Sequence, residues 1–196
     1  LPILAKANTT WLINIFQQFD SIVQGISSDK KRQKFAYTFD AAICAKGLLD
    51  YYKINNSSEL LDAAKSLLTW IVPAINNDGT VLPYKNLESN NFEEDSDVWY
   101  RKKGNLHIKI SIPFVQMYEL TKDESFLNIA KKLCNTYTKY VQRDGSLSMH
   151  ENTNEINLHT LSYALEGLLF SYASTSSKQY LECCINCLNW CSKQID

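Results

Sequence analysis

Three residues that can transfer protons occur at comparable places in this sequence of 196 residues. Asp40, His107 and His159 each come close to the start of a segment with helical periodicity. The partial positive charge at a helix N-terminus disfavours protonated histidine and favours ionised aspartate. A neutral imidazole beside a carboxylate can exchange protons with a hydroxyl group or a carbon atom near neutral pH. We therefore predict a catalytic site of these three residues, with helix capping by both histidines as the alternative.

A second candidate site lies in the long connection from Tyr84 to Gly104. Four carboxylates precede a pair of aromatic residues in this connection: Glu93, Glu94, Asp95, Asp97, Trp99 and Tyr100. Aromatic rings stack on the C–H faces of sugars while carboxylates bind the hydroxyls, so this composition favours a carbohydrate ligand. Paired carboxylates are also the acid and the base or nucleophile of glycosidases. The alternative is a solvated acidic loop whose Trp99 packs against the helices.

The elements that must position these residues are helices. Only 6 Gly and 4 Pro interrupt the chain, and apolar residues recur with a period of about 3.6. This pattern predicts an all-α protein. The expected helices are about seven, at roughly 5–24, 38–53, 58–72, 106–121, 124–141, 158–173 and 178–194.

An internal repeat relates these helices to one another. Residues 60–64 match residues 126–130 at an offset of 66, and the turns at 78–80 and 144–146 keep that offset. A further copy starts at 157–159, 52 residues after 105–107, and its second helix carries Tyr180-Leu181 at an offset of 54 from Phe126-Leu127. Each copy reads as an inner helix, an outer helix and an Asp-Gly turn, and such hairpins stack because none buries its apolar face alone. The next turn would fall near position 198, so we expect a longer array.

The segment around His159 carries a resemblance to known proteins. Residues 158–169 read LHTLSYALEGLL, Phe39-Asp40 leads to Gly-Leu-Leu at 47–49, and Asp-Gly turns follow the outer helices. Over residues 37–196 these features resemble the (α/α) toroid, or six-hairpin, family of sugar-processing proteins. Within that family they are most similar to VpsJ-type exopolysaccharide-biosynthesis proteins.

The resemblance implies antiparallel helical hairpins that form part of an (α/α)6-type toroid, as a single domain over 1–196 that is incomplete at its C-terminal side. It implies an oligosaccharide or polysaccharide as the partner and leaves glycosidase, lyase and epimerase reactions open. The aromatic residues expected to bind the sugar are Tyr37, Tyr84, Trp99, Tyr100 and Tyr163. A different class stays open as well, a helical-repeat scaffold that binds a protein partner or the missing hairpins.

The cysteines invite a metal interpretation that the repeat argues against. Cys184, Cys187 and Cys191 are spaced i, i+3, i+7, but Cys184 falls in the place of Ala64 and Ala130. A free cysteine there acts as a small packed residue, and a zinc site would need another ligand from elsewhere. We therefore predict no metal and no cofactor. Many cysteines without a disulfide-type framework favour a reducing, cytoplasmic location.

Composition excludes two classes of partner. Lys and Arg total 20 against 21 Asp and Glu, with no concentrated basic surface of the kind that nucleic-acid binding requires. No stretch approaches the roughly 18 apolar residues that a membrane-spanning helix needs. The sequence thus predicts no nucleic acid partner and no membrane span.

Overall fold

The structure is a computed structural model that describes residues 2–23, 33–95 and 97–194. Helices dominate this part of the chain, which confirms the predicted all-α class with antiparallel hairpins. The seven α-helices are α1 (Pro2–Phe19), α2 (Thr38–Asn55), α3 (Ser58–Ile71), α4 (Ser111–Thr121), α5 (Glu124–Tyr137), α6 (Leu158–Thr175) and α7 (Lys178–Ser192). The short strands are β1 (Phe35–Tyr37), β2 (Tyr84–Asn86) and β3 (Asn91–Glu93).

The chain divides into two compact units. The first comprises Leu1–Ile75 and Leu82–Arg101, and the second comprises Asn76–Val81 and Lys102–Asp196. The first unit therefore holds α1, the α2/α3 hairpin and the strands. The second holds the α4/α5 and α6/α7 hairpins.

A small antiparallel sheet in the first unit was not predicted from the sequence. Its strand order is β1-β2-β3, with Tyr37 opposite Tyr84 and Lys85 opposite Phe92. Three-residue strands are too short to show the alternating pattern by which strands are recognised. Part of the predicted acidic loop therefore forms strand β3, and the sheet lies beside the start of α2 because β1 leads directly into that helix.

The first helix is shorter than predicted. It ends at Phe19, where Asp20 adopts a left-handed backbone with a φ of 49° and stops the helical hydrogen bonding. The predicted end at Gln24 lies outside the described residues. Within this helix Trp11 is 55% exposed, whereas Ile15 is buried.

In the second unit a tight 3₁₀ segment precedes α4. The sequence predicted one helix from 106, but the structure has a 3₁₀ helix over Asn105–Ile110 and begins α4 at Ser111. Pro113 explains the difference, because a proline cannot donate to the carbonyl four residues earlier and its ring crowds that carbonyl. An α-helix continuous through Lys109 is therefore disfavoured.

Helices α4 and α6 run side by side in the same direction. The Ser111 and Ser171 hydroxyl oxygens lie 3.0 Å apart, and Ser174 donates to Glu119 further along both helices. A later residue of α4 thus contacts a later residue of α6, so the two helices are parallel. The segments that begin at 105 and 158 therefore start at the same end of the second unit.

The two Asp-Gly turns adopt the same conformation. Gly79 and Gly145 have φ angles of 87° and 92°, a left-handed region that glycine enters without a steric penalty. In each turn the aspartate carboxylate accepts hydrogen bonds from the backbone and hydroxyl of the residue two positions later. These hydrogen bonds lower the pKa of both Asp78 and Asp144.

None of the described helices is both long enough and apolar enough to cross a bilayer.

Candidate functional site

Asp40 lies in the first turn of α2, directly after β1, at the position that the sequence predicted. It is exposed, yet the protein around it partly desolvates its carboxyl group and raises the pKa of Asp40. The effect reaches one turn further, where burial and the charge of Asp40 together raise the pKa of the Cys44 thiol to about 11. A carboxyl group with a raised pKa can both accept and return a proton closer to neutral pH.

Five rings form a continuous aromatic cluster in the first unit: Phe35, Tyr37, Tyr84, Trp99 and Tyr100. Successive ring centroids are 5.5 Å apart from Trp99 to Tyr100, 5.9 Å from Tyr100 to Tyr37 and 5.9 Å from Tyr37 to Tyr84. Phe35 packs edge-on against Tyr84 at 5.3 Å. Trp99 is 46% exposed and Tyr100 is 39% exposed, so one end of the cluster faces solvent.

Arg101 lies among these rings. Its guanidinium carbon is 4.2 Å from the ring centroid of Phe35 and 5.1 Å from that of Tyr84. Its Nε donates a 2.8 Å hydrogen bond to the Tyr37 hydroxyl. Desolvation opposes the charge of Arg101, but the hydrogen bond to Tyr37 and the surrounding tyrosines outweigh it and raise the pKa of Arg101. The guanidinium therefore remains charged in an aromatic environment.

Four of the five predicted sugar-binding residues thus contact one another, namely Tyr37, Tyr84, Trp99 and Tyr100. The sequence prediction did not include Phe35, because only the pairing of β1 with β2 brings residue 35 close to residue 84. It did not include Arg101 either, although Arg101 directly follows Trp99-Tyr100 in the sequence.

The carboxylates of the connecting segment stabilise its conformation through contacts within the segment. Glu93 accepts hydrogen bonds from the Ser89 hydroxyl at 2.7 Å and from the Asn86 amide at 3.3 Å. Asp95 accepts a hydrogen bond from the Asp97 backbone and lies 3.7 Å from Arg101. These contacts favour a structural role over a glycosidase-type carboxylate pair.

His159 and Tyr163 form the core of a second group, in the second unit. His159 is exposed, its ring centroid is 4.4 Å from that of Tyr163, and Lys109 Nζ lies 4.0 Å from the centroid of Tyr163. Lys109 also pairs with Glu166 at 2.7 Å. We call Lys109, His159, Tyr163 and Glu166 the helix-start cluster, because three of them share the first turns of α6. The cluster offers an imidazole, a phenol, a carboxylate and an ammonium group within contact distance.

His107 has a different environment from His159. Its side chain is 1% exposed, and Nδ1 lies 2.9 Å from the carbonyl oxygen of Gly104 and 3.3 Å from its amide nitrogen. Burial lowers the pKa of His107 to about 4, although the contact with Gly104 opposes the shift. Its ring also stacks on Tyr137. These contacts favour a positioning role over the direct contact with substrate that the sequence suggested.

His150 lies in the loop between α5 and α6 and is buried there. Its Nδ1 lies 2.9 Å from the Lys103 carbonyl oxygen, and Gly104 leaves so little room that a Cβ there would lie 3.0 Å from the same nitrogen. His107 and His150 therefore both pack around Gly104, so a single glycine organises the start of this segment.

A polar hollow of about 460 Å³ lies elsewhere in the second unit. Its lining includes Asp78, Tyr140, Gln142 and Glu151. None of the eight predicted site residues contributes to this lining.

The six cysteines in the described part of the chain are free thiols. Cys184 is buried, as expected for a residue in an alanine position, and its sulfur lies 3.8 Å from the Leu165 carbonyl oxygen. Among the described residues no group of three or more His, Cys, Asp or Glu could hold a metal ion.

Solved structures share this arrangement of helices. Unsaturated glucuronyl hydrolase from Bacillus sp. GL1 superposes with a TM-score of 0.72 at 12% identity, over 96% of this chain and 55% of that one. Cellobiose 2-epimerase from Bacillus thermoamylovorans B4167 gives 0.61 at 17% identity, over 82% and 46%. A family GH76 α-mannanase from Bacteroides thetaiotaomicron gives 0.65 at 18% identity, over 79% and 40%. The helices have the (α/α) toroid fold.

The chain spans about half or less of the length of these three proteins. A family model described as D-glucuronyl C5-epimerase C-terminus matches residues 106–190, which contain the helix-start cluster. No significant match was found among curated proteins. The proteins that this chain resembles are thus carbohydrate-processing enzymes of the (α/α) toroid type, and the VpsJ-type likeness remains an expectation from the sequence.

Proposed function

We propose that this chain is part of a polysaccharide-processing protein that transfers protons at a glucuronyl-type sugar, as an epimerase does. The exposed His159–Tyr163 pair beside Lys109 supports this most directly, because it lies inside the segment that matches the glucuronyl epimerase family. We also propose a role in exopolysaccharide biosynthesis, which is that of the VpsJ-type proteins. A cytoplasmic location fits the free thiols.

The chemistry of an epimerase matches the groups of the helix-start cluster. An epimerase removes a proton from a sugar carbon and returns a proton to the opposite face, which requires two proton-transferring groups. In this proposal the imidazole of His159 takes the proton from one face of the sugar, and Lys109 offsets the developing negative charge. Tyr163 contacts His159 and shares its face, so the group that returns a proton to the opposite face lies outside this cluster. Substrate and product are isomers, so no oxidant or reductant enters the balance.

Asp40 and His107 have separate places in the proposal. Asp40 is an acid–base group of the first unit, where its raised pKa suits proton transfer near neutral pH. His107 acts through other residues, because its buried ring holds Gly104 at the start of the 3₁₀ segment that carries Lys109.

Hydrogen exchange in deuterated water tests the proposal. The protein is incubated with an oligosaccharide of glucuronate residues, and we expect deuterium at one ring carbon by NMR. His159→Ala should abolish the exchange, whereas Ser162→Ala, a change at an exposed neighbour on the same helix, should leave it intact. A folded wild-type protein that neither binds the oligosaccharide nor exchanges its protons would rule the proposal out.

A protein-binding scaffold is the second candidate, and exposed apolar side chains favour it. Four large apolar side chains of α6 and α7 are exposed by 44–66%: Leu158, Leu169, Ile185 and Leu188. Leu188 occupies the place that buried Cys134 holds in the preceding hairpin. Large apolar side chains left exposed on neighbouring helices are typical of a partner site. If the protein binds no carbohydrate on a broad glycan array and Leu188→Asp changes its association state, the scaffold replaces the enzyme.

A further inference from the structure

We propose that Arg101 binds the carboxylate group of an acidic sugar while Trp99 stacks on the sugar ring. The inference rests on the proposed function, since it locates the group that would recognise the acid of a uronosyl residue. Both residues lie outside the segment that matches the epimerase family, so nothing in that match assigns them a role.

The position of the Arg101 cation is fixed before any ligand arrives. Tyr37 accepts the hydrogen bond from Nε, and the rings of Phe35 and Tyr84 lie 4.2 Å and 5.1 Å from the guanidinium carbon. The side chain is only 18% exposed. A planar cation held in this way loses little conformational freedom on binding, which favours affinity.

Most of the hydrogen-bonding capacity of Arg101 is unused within the described part of the chain. A guanidinium has five N–H donors, and the structure engages one of them, on Nε. The nearest carboxylate oxygen, Oδ2 of Asp95, is 3.7 Å from Nη1, which is too long for a hydrogen bond. The remaining N–H groups of the guanidinium are therefore suited to donate hydrogen bonds to the two oxygens of one carboxylate.

A surface for the sugar ring adjoins this cation. Trp99 and Tyr100 directly precede Arg101 and are the most exposed rings of the aromatic cluster, at 46% and 39%. The guanidinium carbon lies 5.9 Å from the Tyr100 ring centroid, which in turn is 5.5 Å from that of Trp99, so Tyr100 connects the cation to the exposed ring. Apolar ring faces next to a few directed polar groups are the usual composition of a ligand site.

Calorimetric titration with two matched ligands tests the inference. The ligands are an oligosaccharide of glucuronate residues and the same oligosaccharide with its carboxyl groups reduced to alcohols. We expect the wild-type protein to bind the acidic form about tenfold to a hundredfold more tightly, the range for a charge-assisted bidentate contact. Arg101→Gln should reduce this ratio to about one and leave binding of the reduced form unchanged.

Three further variants separate recognition from folding and from general charge. Arg101→Lys keeps the charge but loses the fork, so the ratio should fall while the melting temperature holds. Tyr37→Phe should lower the ratio a few-fold by freeing Nε. Lys85→Gln removes a cation that lies 5.7 Å from the Phe92 ring on the same sheet, and it should leave the ratio unchanged.

The outcomes that contradict the inference are distinct from those that contradict the proposed function. Equal binding of both ligands by the wild-type protein would overturn the role of Arg101 and leave carbohydrate processing standing. So would an equal loss of both ligands in Arg101→Gln, or the same fall of the ratio in Lys85→Gln. Binding of neither ligand would overturn both proposals.

Discussion

The aromatic cluster of the first unit and the helix-start cluster of the second are assembled in different ways. On α6, His159, Tyr163 and Glu166 are neighbours because positions four and seven residues apart share one helical face. Only Lys109 joins them from another segment. The aromatic cluster instead draws on three separate stretches, at 35–37, 84 and 99–101. The pairing of β1 with β2 brings the first two together, and the hydrogen bond from Arg101 to Tyr37 joins the third.

The two clusters also differ in where their charge lies. Arg101 is partly buried among rings, so its position is fixed and its surroundings are apolar. His159 and Glu166 are exposed, and water reaches the groups that would move protons. A charge held among rings is suited to binding, whereas exposed groups are suited to proton transfer, and the two proposals use them in these ways. Four predictions test this difference between the two units.

The largest effect is expected at Tyr84, which is 5% exposed and packs between Phe35 and Tyr37. Tyr84→Ala should lower the free energy of unfolding by about 3 kcal/mol or more, because a buried ring leaves a cavity. Trp99→Ala, at the exposed end of the same cluster, should cost about 1 kcal/mol or less. Urea denaturation measures both. Similar losses of stability for the two variants would contradict the distinction between the buried rings of the aromatic cluster and its exposed ring, Trp99.

The second prediction compares the effect on stability of replacing one glycine in each unit by alanine. A Cβ at Gly167 would lie 2.5 Å from the Ile108 carbonyl oxygen, so Gly167→Ala should destabilise by about 2–3 kcal/mol. Gly47 begins the same Gly-Leu-Leu motif in α2, but a Cβ there meets no described atom within 4 Å. Gly47→Ala should therefore stabilise by about 0.5–1 kcal/mol. Thermal melting of both variants checks the signs, and a shift in the same direction for both would refute the argument.

The third prediction concerns pH and separates His107 from His159. The pKa of His107 is about 4 in the folded protein and about 6.5 in the unfolded chain, so the unfolded chain takes up the proton first as the pH falls. Stability that is present above about pH 6.5 is therefore lost towards pH 4, by about 2 kcal/mol between pH 7 and 5.

Unfolding experiments at both pH values measure this loss, and His107→Gln supplies the control because it cannot titrate. The difference between the two proteins isolates the contribution of one histidine. An NMR titration that gives His107 an ordinary pKa would show that it is not buried as described.

The smallest effect is expected at Cys184, a buried residue in an alanine position. Cys184→Ala should change stability by about 1 kcal/mol or less, as for a near-isosteric swap of small residues. Metal analysis of the purified protein should find no stoichiometric zinc or iron. One bound metal ion per chain, lost on Cys187→Ser, would contradict the prediction that these cysteines are packed residues and not metal ligands.

Several local features could be read from the sequence because they depend on neighbours along the chain. Helical periodicity located all seven helices to within a few residues, apart from the ends set by Asp20 and Pro113. The Asp-Gly turns followed from the left-handed geometry that glycine permits. The candidate aromatic residues, Tyr163 among them, were recognisable by type.

Only the tertiary structure decided what these residues do, because burial depends on segments that are distant in sequence. His107 and His159 looked equivalent as residues near helix starts, yet one is buried against Gly104 and the other is exposed. Gly47 and Gly167 share a motif, but only Gly167 meets another backbone. Arg101 acquired its aromatic surroundings through a sheet whose strands are three residues long, too short to leave a pattern in the sequence.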